Sequence, residues 1–142
     1  LCRSGDTVIR WGGDEFMLVA RLANADEADE LAERVRSAVA SSVFPVGRGQ
    51  LARTTSSIGY APFPLYAQAP TLVDWEQTLK VADLLMYRSK ARRNSWCGGV
   101  GLQAPDSADA LLRVLEMSID DAADEGLLRV TESQRDAAER IA

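Results

Sequence analysis

Asp14 and Glu15 follow directly on Gly12 and Gly13, and these four residues are the densest point of potential chemistry in the chain. Adjacent carboxylates suit a hard, oxygen-seeking cation such as Mg2+ or Mn2+. The glycines have no side chains, so a charged ligand can lie against the backbone beside the acids. A second group of charges, Arg88, Lys90, Arg92 and Arg93, closes a helical run further on and offers cations to an anion. Histidine is absent from all 142 residues, which removes His-dependent triads, His general bases and His-containing zinc sites. Cys2 and Cys97 stand far apart with no CxxC spacing, so neither a disulfide framework nor a cysteine metal site is indicated. Any catalysis here runs on carboxylates, lysine, arginine and a metal ion.

These groups need elements to hold them. Thr7 to Ala20 reads as two β-type runs meeting at Gly12-Gly13, a hairpin pattern with the acids at its tip. Asn24 and Glu27 mark a helix start, and Ala28, Leu31, Ala32, Val35, Ala38 and Val39 carry an amphipathic helix to about Ser41. Pro45 and Gly47-Arg48-Gly49 break it, and strand character returns from Leu51 to Ala61. Asp74 caps a second helix, with Gln77 three residues on and Leu79, Ala82, Leu85 and Met86 as the expected buried stripe. Its cationic end is the sign that the helix dipole favours. Ser95 to Val100 is a short strand.

From Ala104 the character changes. Ser107 caps a helix with Ala108, Leu111, Leu112, Leu115 and Ile119 on one face, Gly126 ends it, and Leu127 to Val130 is a strand or turn. Thr131 to Gln134 then opens a last helix. The fold class expected is α/β, a central and mostly antiparallel sheet flanked by helices, with a helical C-terminal appendage over residues 102–142. The chain opens on Leu1 almost at a strand and holds few elements for a closed domain, so a longer parent with N-terminal elements is expected.

The net charge is −5 and the pI near 4.8, which argues against a general nucleic-acid surface. No run approaches the ~18 apolar residues of a membrane span, and no signal-peptide pattern opens the chain. No direct membrane contact is expected from this segment, although a parent can be anchored upstream.

The hairpin resembles the signature of the GGDEF family of diguanylate cyclases, and further blocks agree in chain order. Arg10-Trp11 resembles the basic-aromatic pair before the signature. Ser57-Ile58-Gly59 resembles the family's S-I-G strand, Ala82-Asp83 to Tyr87 and Lys90 its A-D-x-x-x-Y-x-x-K helix, and Arg93-Asn94 its closing R-N. The resemblance covers residues 1–101 and implies a nucleotidyl-cyclase palm related to the ferredoxin-like fold. It implies condensation of two GTP into cyclic di-GMP with Mg2+ or Mn2+, in a cytoplasmic homodimer. Asp14 and Glu15 would be the catalytic acids and metal ligands, Gly12 and Gly13 would admit the nucleotide, and Lys90 and Arg93 would contact phosphates. The family's usual K-x-x-x-R-N is one residue shorter here and lacks its glycine, so either Arg93 or Arg92 would take that place.

Arg3-Ser4-Gly5-Asp6 resembles the family's R-x-x-D product site, five residues before the signature, with Arg34 as its additional arginine. Arginine forks suit phosphate and guanine edges, and a carboxylate accepts from guanine N–H groups. The family's upstream metal and guanine ligands are not in this sequence, so the chain alone is expected to be inactive. The alternative is a cyclic di-GMP receptor without turnover.

Overall fold

A computed structural model describes residues 3–134. The hairpin forms as the glycines predict: β1 (Thr7–Gly12) pairs antiparallel with β2 (Glu15–Val19). A register shift at Trp11 bulges β1 one residue before the turn. The helix α1 (Ala25–Ser41) starts where expected, with the Asn24 side chain accepting from the Glu27 N–H at 3.0 Å. A small hairpin, β3 (Phe44–Pro45) and β4 (Leu51–Ala52), follows. The strand expected over Leu51 to Ala61 is therefore two, and its second part is β5 (Ser57–Tyr60).

The helix α2 (Trp75–Arg92) begins in a complete capping box, Asp74 accepting from Gln77 N–H and Gln77 accepting from Asp74 N–H. Its buried face is Thr78, Val81, Leu85 and Ser89; of the expected stripe Leu85 is buried, while Leu79, Ala82 and Met86 are half-buried. The hydroxyls explain the difference. Thr78 donates to Asp74 O and Ser89 to Met86 O, so both polar residues enter the core with their bonds made on the helix itself. The helix then returns the chain to β6 (Ser95–Gly101), which lies parallel to β5, as a helical crossover allows.

After β6 come α3 (Ala108–Met117), capped by Ser107, and the short α4 (Ile119–Asp124). The chain then enters β7 (Leu128–Glu132), antiparallel to β6. The helix expected from Ser107 is present but broken at Ser118 into α3 and α4, and the chain after it returns as a strand that completes a β5-β6-β7 sheet. Half of the main buried cluster, Ala108, Leu111, Leu112, Leu115, Ala122 and Leu128, lies beyond residue 101 and packs with Val81, Leu85 and Cys97. Thr131 and Glu132 are strand residues, which corrects the helix start read there. The remainder of that expected helix, 135–142, lies outside the described residues, as does Cys2. Among the described residues three of the four strand pairings are antiparallel, within an α/β architecture of three small sheets.

One glycine sets how closely α2 sits on the sheet. A Cβ built on Gly59 would stand 2.1 Å from Ala82 O and 2.2 Å from Met86 N. Both are helix backbone and cannot swing aside. Gly59→Ala is therefore expected to lower unfolding free energy by about 1–3 kcal/mol or more. Urea midpoints measured at unchanged slope read this directly, and a wild-type midpoint would contradict the packing described.

Candidate active site

The tip of the first hairpin is a two-residue loop, Gly13-Asp14, between the paired Gly12 and Glu15. Gly13 has φ of 53°, a conformation open to glycine at little cost, and it leads the turn as hairpins of this length prefer. Arg10 reaches across it. Its Nε and Nη2 donate to Gly13 O at 3.1 and 2.8 Å, so a fork of charge-assisted bonds fixes the turn from below. Gly12, Gly13, Asp14 and Glu15 are all exposed.

The structure joins Glu15 to Lys90. Lys90 Nζ donates to Glu15 Oε1 at 3.5 Å and lies 5.0 Å from the centre of the Tyr87 ring. The last turn of α2 thus faces the hairpin with a cation. Arg93 is the C-cap of α2, with φ of 54°, and its N–H donates to Ser89 O and Lys90 O. Arg92 is placed elsewhere. It donates through Nη1 to Glu132 Oε2 and through Nη2 to Ser133 O, on the face turned to β7. Of the two arginines read as alternatives for a phosphate contact, Arg92 is committed to the sheet.

The donors at the tip fit Mg2+ or Mn2+. Hard divalent cations of this kind commonly take one or two carboxylates and complete their shell with substrate phosphates and water. Asp14 and Glu15 supply those carboxylates, and no cluster of three or more His, Cys, Asp or Glu suited to a metal occurs among the described residues.

Upstream, Arg3 and Asp6 form a local turn. Asp6 Oδ2 accepts from Arg3 N–H at 2.7 Å, and Asp6 N–H donates to Arg3 O at 3.0 Å. The Arg3 guanidinium lies 3.9 Å from Glu27 Oε2 at the start of α1. Arg34 is exposed on the same helix, seven residues and so about 10.5 Å further along the axis. The structure brings Arg3 and Asp6 together and leaves Arg34 on the neighbouring stretch of α1.

Sequence reasoning missed a polar network behind the site. Asp29 Oδ1 accepts from Tyr60 Oη and, at 2.9 Å, from Thr131 Oγ1, joining α1, β5 and β7. Burial and the Asp29 contact push the Tyr60 hydroxyl well above the usual tyrosine range. One turn on, Glu33 accepts from Arg36 at 2.6 and 3.0 Å and from Trp96 Nε1 at 2.9 Å. An open cleft of about 440 Å³ lies among Asp29, Glu33, Trp96, Glu132, Ser133 and Gln134. The i, i+4 spacing of Asp29 and Glu33 was a signal for one helix face. Their partners Tyr60, Trp96 and Thr131, 31 to 102 residues distant, were not legible. Cys97 is buried beneath this region, and burial followed by the charge of Glu132 pushes its thiol up to about 12, so it stays protonated and chemically quiet.

An acid-tipped hairpin thus faces a cationic helix end on an α/β scaffold. The chain belongs to the GGDEF domain family: the profile described as "Diguanylate cyclase, GGDEF domain" matches residues 1–95. It is 36% identical over 90 residues to Diguanylate cyclase DosC of Escherichia coli K12, covering 63% of this chain and 18% of that protein. It is 38% identical over 88 residues to Diguanylate cyclase DgcM of the same strain, covering 62% and 19%. Identity to the bifunctional diguanylate cyclase/cyclic di-GMP phosphodiesterase MucR of Pseudomonas aeruginosa is 32% over 96 residues, 67% of this chain and 13% of that one. The chain thus spans under a fifth of the length of these relatives. No solved structure matches it. Among the described residues no helix is long and apolar enough to cross a membrane.

The Glu33 carboxylate gives a pH test of the network. The Arg36 hydrogen bonds hold it below the ordinary 4.5, burial opposes them, and the Trp96 N–H and the Arg36 charge add to the lowering. A carboxylate lowered in the folded state contributes stability above its unfolded value and loses it as pH falls through the folded one. Glu33→Gln is therefore expected to be less stable than wild type at pH 7, with the gap narrowing below about 4.5 and closing at lower pH. Urea unfolding at pH 7, 5 and 3 checks it. A gap independent of pH would assign the loss to packing.

Proposed function

We propose that this chain is the signature-bearing part of a diguanylate cyclase, and that the protein carrying it condenses two GTP molecules into cyclic di-GMP and two pyrophosphates. The observation that carries the reading is the seating of the GGDEF signature on a tight turn, with Asp14 exposed at its tip and Lys90 within 3.5 Å of Glu15. Each bond-forming step joins a ribose 3′-oxygen to the α-phosphorus of the other GTP, breaks the α–β phosphoanhydride and releases the hydroxyl proton. Such a reaction is catalysed by positioning and by stabilising charge on phosphate oxygens.

The side chains divide this work. Asp14 and Glu15 would hold the metal ion, which when bound neutralises triphosphate charge and makes the hydroxyl more acidic. Asp14, at the tip, would accept the hydroxyl proton. Gly12 and Gly13 leave the hairpin backbone open to the nucleotide, and Lys90 and Arg93 would take phosphate oxygens. Two domains would meet face to face, each presenting one GTP, which makes a homodimer part of the proposal. GTP as substrate puts the domain on the cytoplasmic side. Arg3, Asp6 and Arg34 would bind cyclic di-GMP as an inhibitory product. Asp6 spends one oxygen on Arg3 N–H and keeps Oδ1 for a guanine donor.

A second reading, a cyclic di-GMP receptor without turnover, draws on one observation. The Lys90–Asn94 stretch is short, and Arg92 in it is held by Glu132. The discriminating assay incubates the protein carrying this domain in full with GTP and Mg2+, and titrates cyclic di-GMP by calorimetry. We expect cyclic di-GMP and pyrophosphate to form, with turnover falling on the order of 100-fold or more in Asp14→Asn and Glu15→Gln. Binding of cyclic di-GMP with no turnover by the unmutated protein would replace the cyclase reading with the receptor one. Arg3→Ala is expected to weaken cyclic di-GMP about tenfold or more, the scale of a lost charge-assisted hydrogen bond, and to relieve inhibition without lowering turnover. Unchanged inhibition would remove Arg3 from the product site. The 142-residue chain alone is expected to turn GTP over poorly, and an assay of that chain with GTP and Mg2+ checks it.

A further inference from the structure

Three of the four cations near the end of α2 are sorted onto opposite sides of the helix, and a residue outside the GGDEF match holds two of them. Arg88 and Arg92 are four residues apart and share a face. Both donate to the Glu132 carboxylate of β7, Arg88 through Nε to Oε1 and Arg92 through Nη1 to Oε2. Arg88 Nη1 also lies 2.8 Å from Asp120 Oδ1 in α4. Earlier on α2, Lys80 pairs with Glu116 of α3. Three acids beyond residue 101 therefore grip α2 along its length. Lys90, about 200° around the helix from Arg88, is turned to the hairpin instead and meets Glu15 at 3.5 Å.

We propose that Glu132 is a positioning residue for the phosphate-binding end of α2. By holding Arg88 and Arg92 it fixes the helix's last turns, so that Lys90 faces the hairpin and Arg93 caps the helix beside it. The reading rests on the cyclase proposal for what Lys90 binds, but the clamp stands on its own geometry. Glu132 is partly buried, its side chain 25% exposed, and its two arginines are 27–30% exposed, so the triad is only weakly screened by solvent. It also lies at the end of β7, in register with Cys97 of β6. The sheet thus fixes the carboxylate before the arginines reach it. In the short Lys90–Asn94 stretch, this clamp supplies an anchor at Arg92, two residues from the lysine.

The test compares the 142-residue chain with Glu132→Gln and with the triple variant Arg88→Met, Arg92→Met, Glu132→Met. The triple variant keeps the packing volume and leaves no unpaired charge in the partly buried triad, only Asp120 losing a partner at a side chain that is 72% exposed, and such replacements of whole ion-pair groups generally fold. Amide hydrogen exchange is followed across residues 86–94 and across β1 and β2. We expect Glu132→Gln to speed exchange at Ser89–Asn94 about tenfold or more and to leave β1 and β2 unchanged, with the triple variant returning protection to within about threefold of wild type. Wild-type exchange in Glu132→Gln would overturn the clamp. So would equal acceleration everywhere in both variants, which marks general destabilisation.

The link to substrate is read by MgGTP titration of the protein carrying the whole domain. Glu132→Gln should raise KM several-fold with kcat within about twofold, and a wild-type KM would overturn the positioning role. If the unmutated protein binds no MgGTP, the cyclase reading falls, and the exchange arm still decides the clamp.

Discussion

The close seating of α2 on β5 at Gly59 is the constraint from which the rest of the arrangement follows. A helix that approaches a strand to backbone contact has its axis fixed in distance and tilt, because neither partner can yield. The residues that emerge from its last two turns then have fixed destinations. Lys90 points at the hairpin, Arg88 and Arg92 point at β7, and the Ser89 hydroxyl closes the gap by donating to Met86 O. Ser95 Oγ donates to Ser89 O at 2.8 Å, so the turn into β6 is tied to the same point. An alanine in place of Gly59 would reach each of these contacts through the helix, although it touches none of them.

Electrostatics decides what each cation does. Helix C-termini favour positive charge, but four cations within six residues also repel one another. Two of them are neutralised by a single carboxylate on β7 and a third by Glu15. The guanidinium of Arg88 is held charged still more firmly by its bonds to Glu132 and then Asp120, against the penalty of burial. Partly buried clusters of this kind add little net stability over an apolar packing of the same shape. Their use lies in direction: they tell a helix which side faces the sheet.

Much of this was legible in sequence because it is local. Asn24 and Asp74 cap their helices as their residue types and the following Glu27 and Gln77 imply, and the double glycine makes the hairpin turn. What failed did so where a distant partner outweighed a local pattern. Thr131-Glu132-Ser133-Gln134 has the spacing of a capping box, yet Thr131 and Glu132 pair with Gly98 and Cys97. A sheet edge offered by β6 satisfies a row of backbone groups, which a helix start one turn long cannot match. Apolarity alone marks Leu85 of the buried face of α2 but not Thr78 or Ser89, which can be buried once their hydroxyls bond the helix behind them. The Asp29–Tyr60–Thr131 contact spans most of the chain and left no periodic trace.

The hairpin illustrates how rigidity and freedom are divided within one site. Its turn is stiff: Gly13 sets the backbone, and the Arg10 fork holds the carbonyl with two bonds. Its ties to the helices include exposed ion pairs at 3.5 and 3.9 Å, Glu15 with Lys90 and, just before the strand, Arg3 with Glu27. Pairs of that length and exposure contribute less than about 1 kcal/mol each. They are also made of the groups read as ligands: Glu15 for a metal, Lys90 for phosphate, Arg3 for a product. A metal-bound triphosphate would compete for both ends of the Glu15–Lys90 pair at small cost, because the cation gained by Glu15 and the anion gained by Lys90 replace what each gives up. The pair therefore holds the site's charges in place without ligand, and is weak enough to be exchanged for one.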